Sequence, residues 1–181
     1  MRAFIAIDLP EPIHAALSQH QAAFRAACPD ARWTRPEGIH LTLKFLGEIS
    51  DAQVKQVSEA LAALGGFPAF SVQVEGFGFF PDARRPRVFW AGLEAPPALA
   101  ELTDRVEAAM ERIGFPREQR SFTPHLTLAR FKVPRPQPAL QSLLPREAPD
   151  LGRFEVSEFF LFESRLSPHG AQYLKVMRFP R

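Results

Sequence analysis

The sequence predicts an α+β fold of two similar lobes, each an antiparallel sheet with helices, related by an approximate two-fold axis. Two observations predict it. The tetrapeptide HLTL occurs twice, at residues 40–43 and 125–128, an offset of 85 residues. The order of predicted elements repeats at about the same distance, as strand, helix, motif strand, helix and strand. Such a duplication brings equivalent residues face to face, so we expect a central cleft that carries both motifs.

The first strand and first helix of each unit follow from short matches and from apolar spacing. RAFIA at 2–6 resembles RVFWA at 87–91, again at an offset of 85, and both segments are typical of strands. Residues 11–28 and 97–114 then carry apolar side chains at helical spacing. These are Ile13, Leu17, Phe24 and Cys28 in the first helix, and Leu99, Leu102, Val106, Met110 and Ile113 in the second.

The elements after each motif complete the repeat. They are a helix capped by Ser50 and Asp51 that ends at Gly65 and Gly66, a strand at 70–80, a short helix within the proline-rich segment 134–149, a strand at 154–164 and a closing strand at 172–179. We therefore predict one bilobal domain over residues 1–181, with sequence repeats at approximately 1–85 and 86–170.

Composition is that of a globular protein, with 46% apolar and 23% charged residues. The N-terminal apolar run ends at Asp8 and is too short for a signal peptide or a membrane span, so we expect a cytoplasmic protein with no membrane partner. Cys28 is the only cysteine, which excludes an internal disulfide and a multi-cysteine metal site. We also expect a monomer.

The net charge is only +2, but the basic residues occur in three clusters. These are ARRPR at 83–87, Arg117 with Arg120, and RFKVPR at 130–135. Clusters of this kind suit a polyanionic partner, although solvated loops explain each of them equally well.

Each motif pairs an imidazole with a hydroxyl. Residues two apart on a strand share a face, so His40 lies beside Thr42, and His125 lies beside Thr127. The leucines, namely Leu41, Leu43, Leu126 and Leu128, face the core instead. Two imidazoles can act as general base and general acid, and threonine hydroxyls can donate to phosphate oxygens.

This set favours phosphoryl transfer over acyl transfer, because no GxSxG nucleophile motif occurs. A catalytic metal is the competing interpretation, but neither motif has an acidic residue close by on the histidine's face. We therefore expect no cofactor and no metal.

Two cations near the motifs are candidates for phosphate binding. Strand parity places Lys44 on the same face as His40, where it could contact a phosphate. Arg130 follows His125 by five positions, and strict alternation would point it away unless the strand bends towards the cleft.

Two HxTx motifs half a chain apart resemble the two-histidine phosphoesterase superfamily. Within it, RAFIAIDLP, RWTRPEGIHLTLKFLG, SFTPHLTLAR and SRLSPHGAQYLKV are similar to the RNA 2',3'-cyclic phosphodiesterases, historically called 2'-5' RNA ligases. The resemblance covers nearly the whole chain. It implies a bilobal fold with a positively charged cleft, and opening of a 2',3'-cyclic phosphate at an RNA end to a 2'-phosphomonoester without metal.

Carried onto this sequence, the resemblance implies that His125 is the proton acceptor and His40 the proton donor, with Thr42 and Thr127 holding the phosphate oxygens. The two labels can be exchanged without changing the residue set, because the pseudo-symmetry relates the histidines.

The partner implied by the resemblance is RNA with 2',3'-cyclic phosphate ends, of which tRNA fragments are one source. Three alternatives stay open: a phosphodiesterase acting on small cyclic nucleotides, a 2'-5' RNA ligase with another natural substrate, and a non-catalytic module that binds RNA ends.

Overall fold

The computed structural model describes residues 1–181 as nine strands and four helices. In chain order they are β1 (Arg2–Ile7), α1 (Glu11–Ala27), β2 (Arg32–Trp33), β3 (Leu41–Glu48), α2 (Asp51–Ala62), β4 (Phe70–Phe80), β5 (Val88–Glu94), α3 (Pro97–Arg112), β6 (His125–Arg130), α4 (Pro138–Leu143), β7 (Asp150–Val156), β8 (Phe159–Ser167) and β9 (Gly170–Phe179). A short 3₁₀ turn, Pro36–Gly38, precedes β3.

The strands form two antiparallel sheets, which confirms the predicted α+β fold. Sheet 1 has the order β3-β1-β8-β9, and sheet 2 has the order β2-β6-β5-β4-β7. In each sheet a motif strand pairs with the first strand of its own repeat, β1 with β3 and β5 with β6. In each sheet the next strand beside that pair is supplied by the other half of the sequence, since β8 lies beside β1 in sheet 1 and β4 lies beside β5 in sheet 2.

The helices are exchanged between the lobes in the same way. Phe24 of α1 packs edge-on against Phe77 and Phe89 of sheet 2, whereas α3 contacts β3 of sheet 1 and also α2. Lobe 1 is therefore sheet 1 with α2 and α3, and lobe 2 is sheet 2 with α1 and α4. These lobes do not follow the sequence halves 1–85 and 86–170, and that division of the sequence stays a prediction.

Most predicted elements are present, and the helix after the first motif begins with the expected cap. Ser50 Oγ accepts from the backbone N–H of Gln53, whose side chain accepts in return from the Ser50 N–H. The single strand predicted at 154–164 is wrong: the chain breaks after Val156 and passes from sheet 2 into sheet 1. No helix is both long enough and apolar enough to span a membrane.

One continuous apolar core extends through both lobes. It contains the four leucines of the two motifs, Leu41, Leu43, Leu126 and Leu128, none more than 4% exposed. Because these leucine side chains are buried, the opposite face of each motif strand points away from the core. β3 and β6 also contact each other, so the two motif strands meet where the sheets adjoin.

A β-bulge interrupts β3 immediately after the first motif threonine. Ala6 of β1 opposes Thr42 and Ile5 opposes Lys44, which leaves Leu43 without a partner in β1. A bulge adds one residue to the strand and reverses the alternation of faces beyond it. Leu43 and Lys44 consequently both point to the core side.

β6 contains the equivalent bulge. Trp90 opposes Thr127 and Phe89 opposes Ala129, which leaves Leu128 unpaired. Leu43 and Leu128 are 85 residues apart, but Ile5 and Phe89, which oppose equivalent residues, are 84 apart. RAFIA and RVFWA thus share the sequence offset of the motifs, 85, but their strand pairing is displaced by one residue relative to that match.

A buried ion pair joins β3 to α3. Lys44, 3% exposed, donates from Nζ to both carboxylate oxygens of Glu107 at 3.0 and 3.1 Å, and to the Pro116 carbonyl at 2.8 Å. The three donors of the ammonium group are thereby used within the protein.

Breaking this pair should destabilise the protein strongly. Replacing Lys44→Met leaves the Glu107 carboxylate buried and uncompensated, and we expect unfolding free energy to fall by about 3–5 kcal/mol in urea titrations. The double variant Lys44→Met/Glu107→Leu should recover most of this loss. Lys55→Met, which removes an exposed pair with Glu59, should cost less than about 1 kcal/mol. A Lys44→Met loss no larger than that of Lys55→Met would contradict a structural role for the pair.

Candidate active site

His40 lies at the entrance to β3, on the face of sheet 1 that is turned away from the main core. Its ring packs against three aromatic rings, with centroid distances of 4.5 Å to Phe162, 5.3 Å to Tyr173 and 5.8 Å to Phe4. The side chain is only 6% exposed. These rings hold the imidazole in one orientation and remove most of its contact with water.

Gly38, two residues before His40, is required by this packing. A Cβ atom at Gly38 would lie 2.7 Å from the Tyr173 ring, which is closer than side-chain atoms approach. Glycine therefore lets Tyr173 close over the start of β3 and reach His40. Tyr173 belongs to the closing segment SRLSPHGAQYLKV, in which no sequence pattern indicates this contact.

A carboxylate and an ammonium group lie beside His40. Asp8 lies directly after β1, and its Oδ1 is 3.9 Å from His40 Nε2. Its Oδ2 forms an ion pair with Lys175 Nζ of β9 at 2.6 Å. Oδ1 also accepts from the Leu9 backbone N–H, which orients the carboxylate. Sequence reasoning took Asp8 only as the end of an apolar run, so the site residues Asp8 and Lys175 were missed.

These surroundings act on the pKa of His40 in opposite directions. Burial lowers the pKa to about 4, because the charged imidazolium loses its hydration. The Asp8 carboxylate and the Gly38 carbonyl favour the protonated ring, whereas His14 and Lys175 disfavour it. His40 is thus neutral at pH 7 in the free protein, with one carboxylate placed to stabilise its protonated form.

His125 opens β6 and is oriented by its own backbone. Its Nδ1–H donates to the Thr123 carbonyl at 2.8 Å, so that in the neutral ring the lone pair is on Nε2. The Phe80 ring stands perpendicular to the imidazole at 4.9 Å. Burial lowers the pKa of His125, the guanidinium of Arg130 lowers it further, and the Thr123 carbonyl opposes both.

The two histidines are packed in equivalent ways but have different charged groups beside them. Each lies near the carbonyl two residues before it, and each packs on a phenylalanine from the strand two places away from its motif strand, Phe162 of β8 for His40 and Phe80 of β4 for His125. The nearby charge differs, since His40 has a carboxylate and His125 a guanidinium.

The threonines occupy the positions that strand parity predicts. Thr42 and Thr127 are both half-buried, between leucines that belong to the core. They precede the bulges, so the simple alternation still holds for them. Each threonine therefore shares a face with the histidine of its own motif.

Lys44 does not lie on the face of His40, and the prediction that it does is wrong. The bulge at Leu43 turns Lys44 into the core side, where all its donors are bound by Glu107 and Pro116. No donor is left for a phosphate. Phe45 takes its place on the site face, with its ring 6.1 Å from Phe4 and 61% of the residue exposed.

Arg130 lies on the face of His125, contrary to strict alternation. The bulge at Leu128 places Leu128 and Ala129 both in the core, both fully buried, and brings Arg130 back to the motif side. The effect of its charge on the pKa of His125 reflects this proximity. Arg130 is exposed, and phosphate binding by its guanidinium stays a prediction.

Three further aromatic residues near the motif strands divide between site and core. Phe80 is at the site beside His125. Trp33 and Phe79 instead pack on Phe89, and the Trp33 indole donates to the Cys28 carbonyl. No group of three or more His, Cys, Asp or Glu side chains could hold a metal ion.

Comparison with known proteins gives one consistent family. The family model described as LigT like Phosphoesterase matches residues 7–90 and 93–173. The RNA 2',3'-cyclic phosphodiesterase of Methanothermobacter thermautotrophicus is 33% identical over 175 residues, which are 96% of this chain and 95% of the relative. The protein of the same name from Aeropyrum pernix is 40% identical over 140 residues, 76% of this chain and 78% of the relative.

Solved structures agree with the sequence relatives. TT0787 of Thermus thermophilus superposes with a TM-score of 0.83 at 31% identity, covering 99% of this chain and 97% of that one. E. coli LigT complexed with 3'-AMP gives a TM-score of 0.81 at 27% identity, covering 98% and 96%. The likeness extends over both lobes.

The charge arrangement around His40 can be tested without any substrate. Replacing Asp8→Asn removes the carboxylate that favours the imidazolium, so the pKa of His40 should fall below its value in the parent protein. Lys175→Gln removes a cation that disfavours the imidazolium and should raise the pKa of His40. Both shifts are measured by NMR titration of the imidazole nitrogens, with Glu59→Gln on α2 as the matched control. An unchanged His40 titration in Asp8→Asn would contradict this arrangement.

Proposed function

The chain belongs to the LigT-like phosphoesterase family, and from that premise we propose that it hydrolyses 2',3'-cyclic phosphate ends of RNA to 2'-phosphomonoesters. The observation that carries the proposal is the pair of equivalently supported imidazoles on two motif strands that contact each other. The relatives' name, RNA 2',3'-cyclic phosphodiesterase, supports the same substrate class.

In the proposed reaction, His125 and His40 act in sequence on one phosphorus centre. A water oxygen attacks the phosphorus while Nε2 of His125 takes the proton of that water. The bond from phosphorus to the 3'-oxygen breaks, and protonated His40 gives its proton to that oxygen. The ribose then carries a 3'-hydroxyl and a 2'-phosphomonoester. One proton enters the protein and one leaves, so the cycle needs no other reactant.

The charges beside the two rings support this assignment of roles. Asp8 favours a protonated His40, as a general acid requires, although burial outweighs it and lowers the pKa of His40 in the free protein. Arg130 disfavours protonation of His125, as a general base requires. Burial keeps both rings neutral in the free protein. A bound phosphodiester brings a negative charge between them and thereby favours protonation of the ring that already has a carboxylate neighbour.

The remaining groups bind the phosphate in this proposal. Thr42 and Thr127 donate their hydroxyls to the two non-bridging oxygens, and Arg130 adds a guanidinium from the side of His125. Such donors stabilise the extra charge of the pentacoordinate transition state without a metal ion. Lys44 has no part in this set, because its ammonium group is used by Glu107 and Pro116.

Loss of either histidine should greatly reduce turnover of the cyclic end. A second substrate, whose leaving group needs no proton, should distinguish the acid from the base. On an oligonucleotide with a cyclic phosphate end, in excess EDTA, His40→Ala and His125→Ala should each lose about 10²–10⁴-fold in kcat. A nucleotide p-nitrophenyl diester releases a stable anion that needs no proton, so His40→Ala should retain most activity on it, whereas His125→Ala should not.

Chromatography of the oligonucleotide product against 2'- and 3'-phosphate standards completes this test. Retained turnover of the cyclic end in either variant would overturn the two-histidine mechanism. Equal losses of His40→Ala on both substrates would overturn the role of His40 as acid. A requirement for added metal would overturn the metal-independent reaction.

The pH dependence follows from the direction of the two pKa shifts. The reacting form needs His40 protonated and His125 neutral, and its fraction is largest midway between the two pKa values. Both lie below the usual 6.5 of histidine, so kcat/KM should be bell-shaped with an optimum below pH 6.5. The optimum of kcat should lie at higher pH, because the bound phosphate favours the imidazolium. An optimum of kcat/KM above pH 7 would contradict the assignment.

A further inference from the structure

Two of the three basic clusters of the sequence converge beside the proposed site. Residues 83–87 form the loop between β4 and β5, and residues 130–135 follow β6. The backbone N–H of Phe131 donates to the Arg87 carbonyl at 2.9 Å, and Arg87 Nη1 donates to the Lys132 carbonyl at 3.3 Å. These contacts place the loop directly beside Arg130, at the end of the strand that begins with His125.

The backbone of this loop is held by hydrogen bonds, while the side chains of Arg84 and Arg85 are free. Asp82 Oδ1 accepts from the backbone N–H groups of Arg84 and Arg85 at 2.8 and 3.0 Å. Gln141 of α4 donates from Nε2 to the Ala83 carbonyl at 3.3 Å. The two guanidinium groups remain exposed on a fixed loop. Asp82 is the one acidic residue of the loop.

Five exposed cations lie on these two adjoining segments and are called the basic strip: Arg84, Arg85, Arg87, Arg130 and Lys132. None of them takes part in the ion pairs of the protein. The third cluster differs, because Arg117 is bound by Asp104 at 2.7 Å and by Glu111 at 3.0 Å. An unneutralised group of cations extending away from a catalytic site attracts a polyanion.

We propose that the basic strip binds the phosphate backbone of the RNA strand on the 5' side of its cyclic end, so that the enzyme acts on oligonucleotides in preference to mononucleotides. This deepens the proposed function and rests on it. A cyclic phosphate closes the 3' end, so the strand leaves the site in one direction only. The strip begins at Arg130, which lies on the same strand and the same face as His125, and continues from there across the β4–β5 loop.

The test compares a short and a long substrate in one variant. Arg84→Gln/Arg85→Gln/Lys132→Gln removes three charges from the strip and leaves Arg130 and Arg87 in place. With 2',3'-cyclic AMP, kcat/KM should stay within twofold of the parent protein. With a single-stranded decanucleotide that has a cyclic end, KM should rise about tenfold near 0.1 M salt, since each exposed contact contributes modestly.

Binding is measured independently of catalysis. Fluorescence anisotropy with a decanucleotide that ends in a 3'-phosphate gives the dissociation constant as a function of salt. The slope of log K against log salt should decrease in magnitude by about 2 in the triple variant, because each single-strand phosphate contact contributes about 0.7. Lys55→Gln/Arg112→Gln, which removes two exposed charges from the helices of lobe 1, is the control and should leave both assays unchanged.

The outcomes separate this inference from the proposed function. An unchanged decanucleotide KM and salt slope in the triple variant would overturn the strip as an RNA site, as would binding of poly-glutamate as tight as that of RNA. An equal loss on cyclic AMP would overturn the oligonucleotide preference. Failure of the parent protein to open any cyclic phosphate would overturn the proposed function, while anisotropy would still decide whether the strip binds RNA.

Discussion

Which side chains face the site depends on the positions at which the two motif strands reverse the alternation of side chains between their faces. At Leu43 and at Leu128 a bulge adds one residue, so two successive side chains face the core and the next returns to the site. A buried polar group from the other repeat's helix lies at each bulge. Gln21 of α1 donates to the Leu128 carbonyl at 3.2 Å, and Glu107 of α3 binds Lys44. The faces of β3 and β6 are thereby fixed by helices that come from the opposite halves of the sequence.

The chemistry of the site was predictable up to the bulges and not beyond them. His40, Thr42, His125 and Thr127 precede the bulges, so the period of two residues assigned their faces. Beyond the bulges the same rule assigned Lys44 and Arg130 to the wrong faces of their strands. The second motif carried a signal, because Leu128 and Ala129 are successive apolar residues that break the alternation. The first motif carried no such signal, because a lysine at position 44 is expected to be exposed unless its pairing with Glu107 is known.

Tertiary pairing decided the other features that the sequence left open. The strand predicted at 154–164 became two because residues 157–158 carry the chain between sheets, and nothing in their composition breaks a strand. Asp8 and Lys175 are far apart in sequence and meet at His40 only because β1, β8 and β9 are neighbours in sheet 1. The two similar imidazoles therefore come from the repeated motif, and residues outside that motif place different charged groups beside them.

The exchange of strands and helices has a mechanical consequence. The chain crosses between the lobes six times, at the connections β1–α1, β2–β3, α2–β4, β5–α3, α3–β6 and β7–β8. Rotation about a hinge concentrates its backbone change in a few residues, which six separate crossings and a shared core do not permit. The relative position of the two motif strands, which contact each other, is accordingly fixed by the fold. A ligand that bridges β3 and β6 therefore meets an arrangement set before it binds.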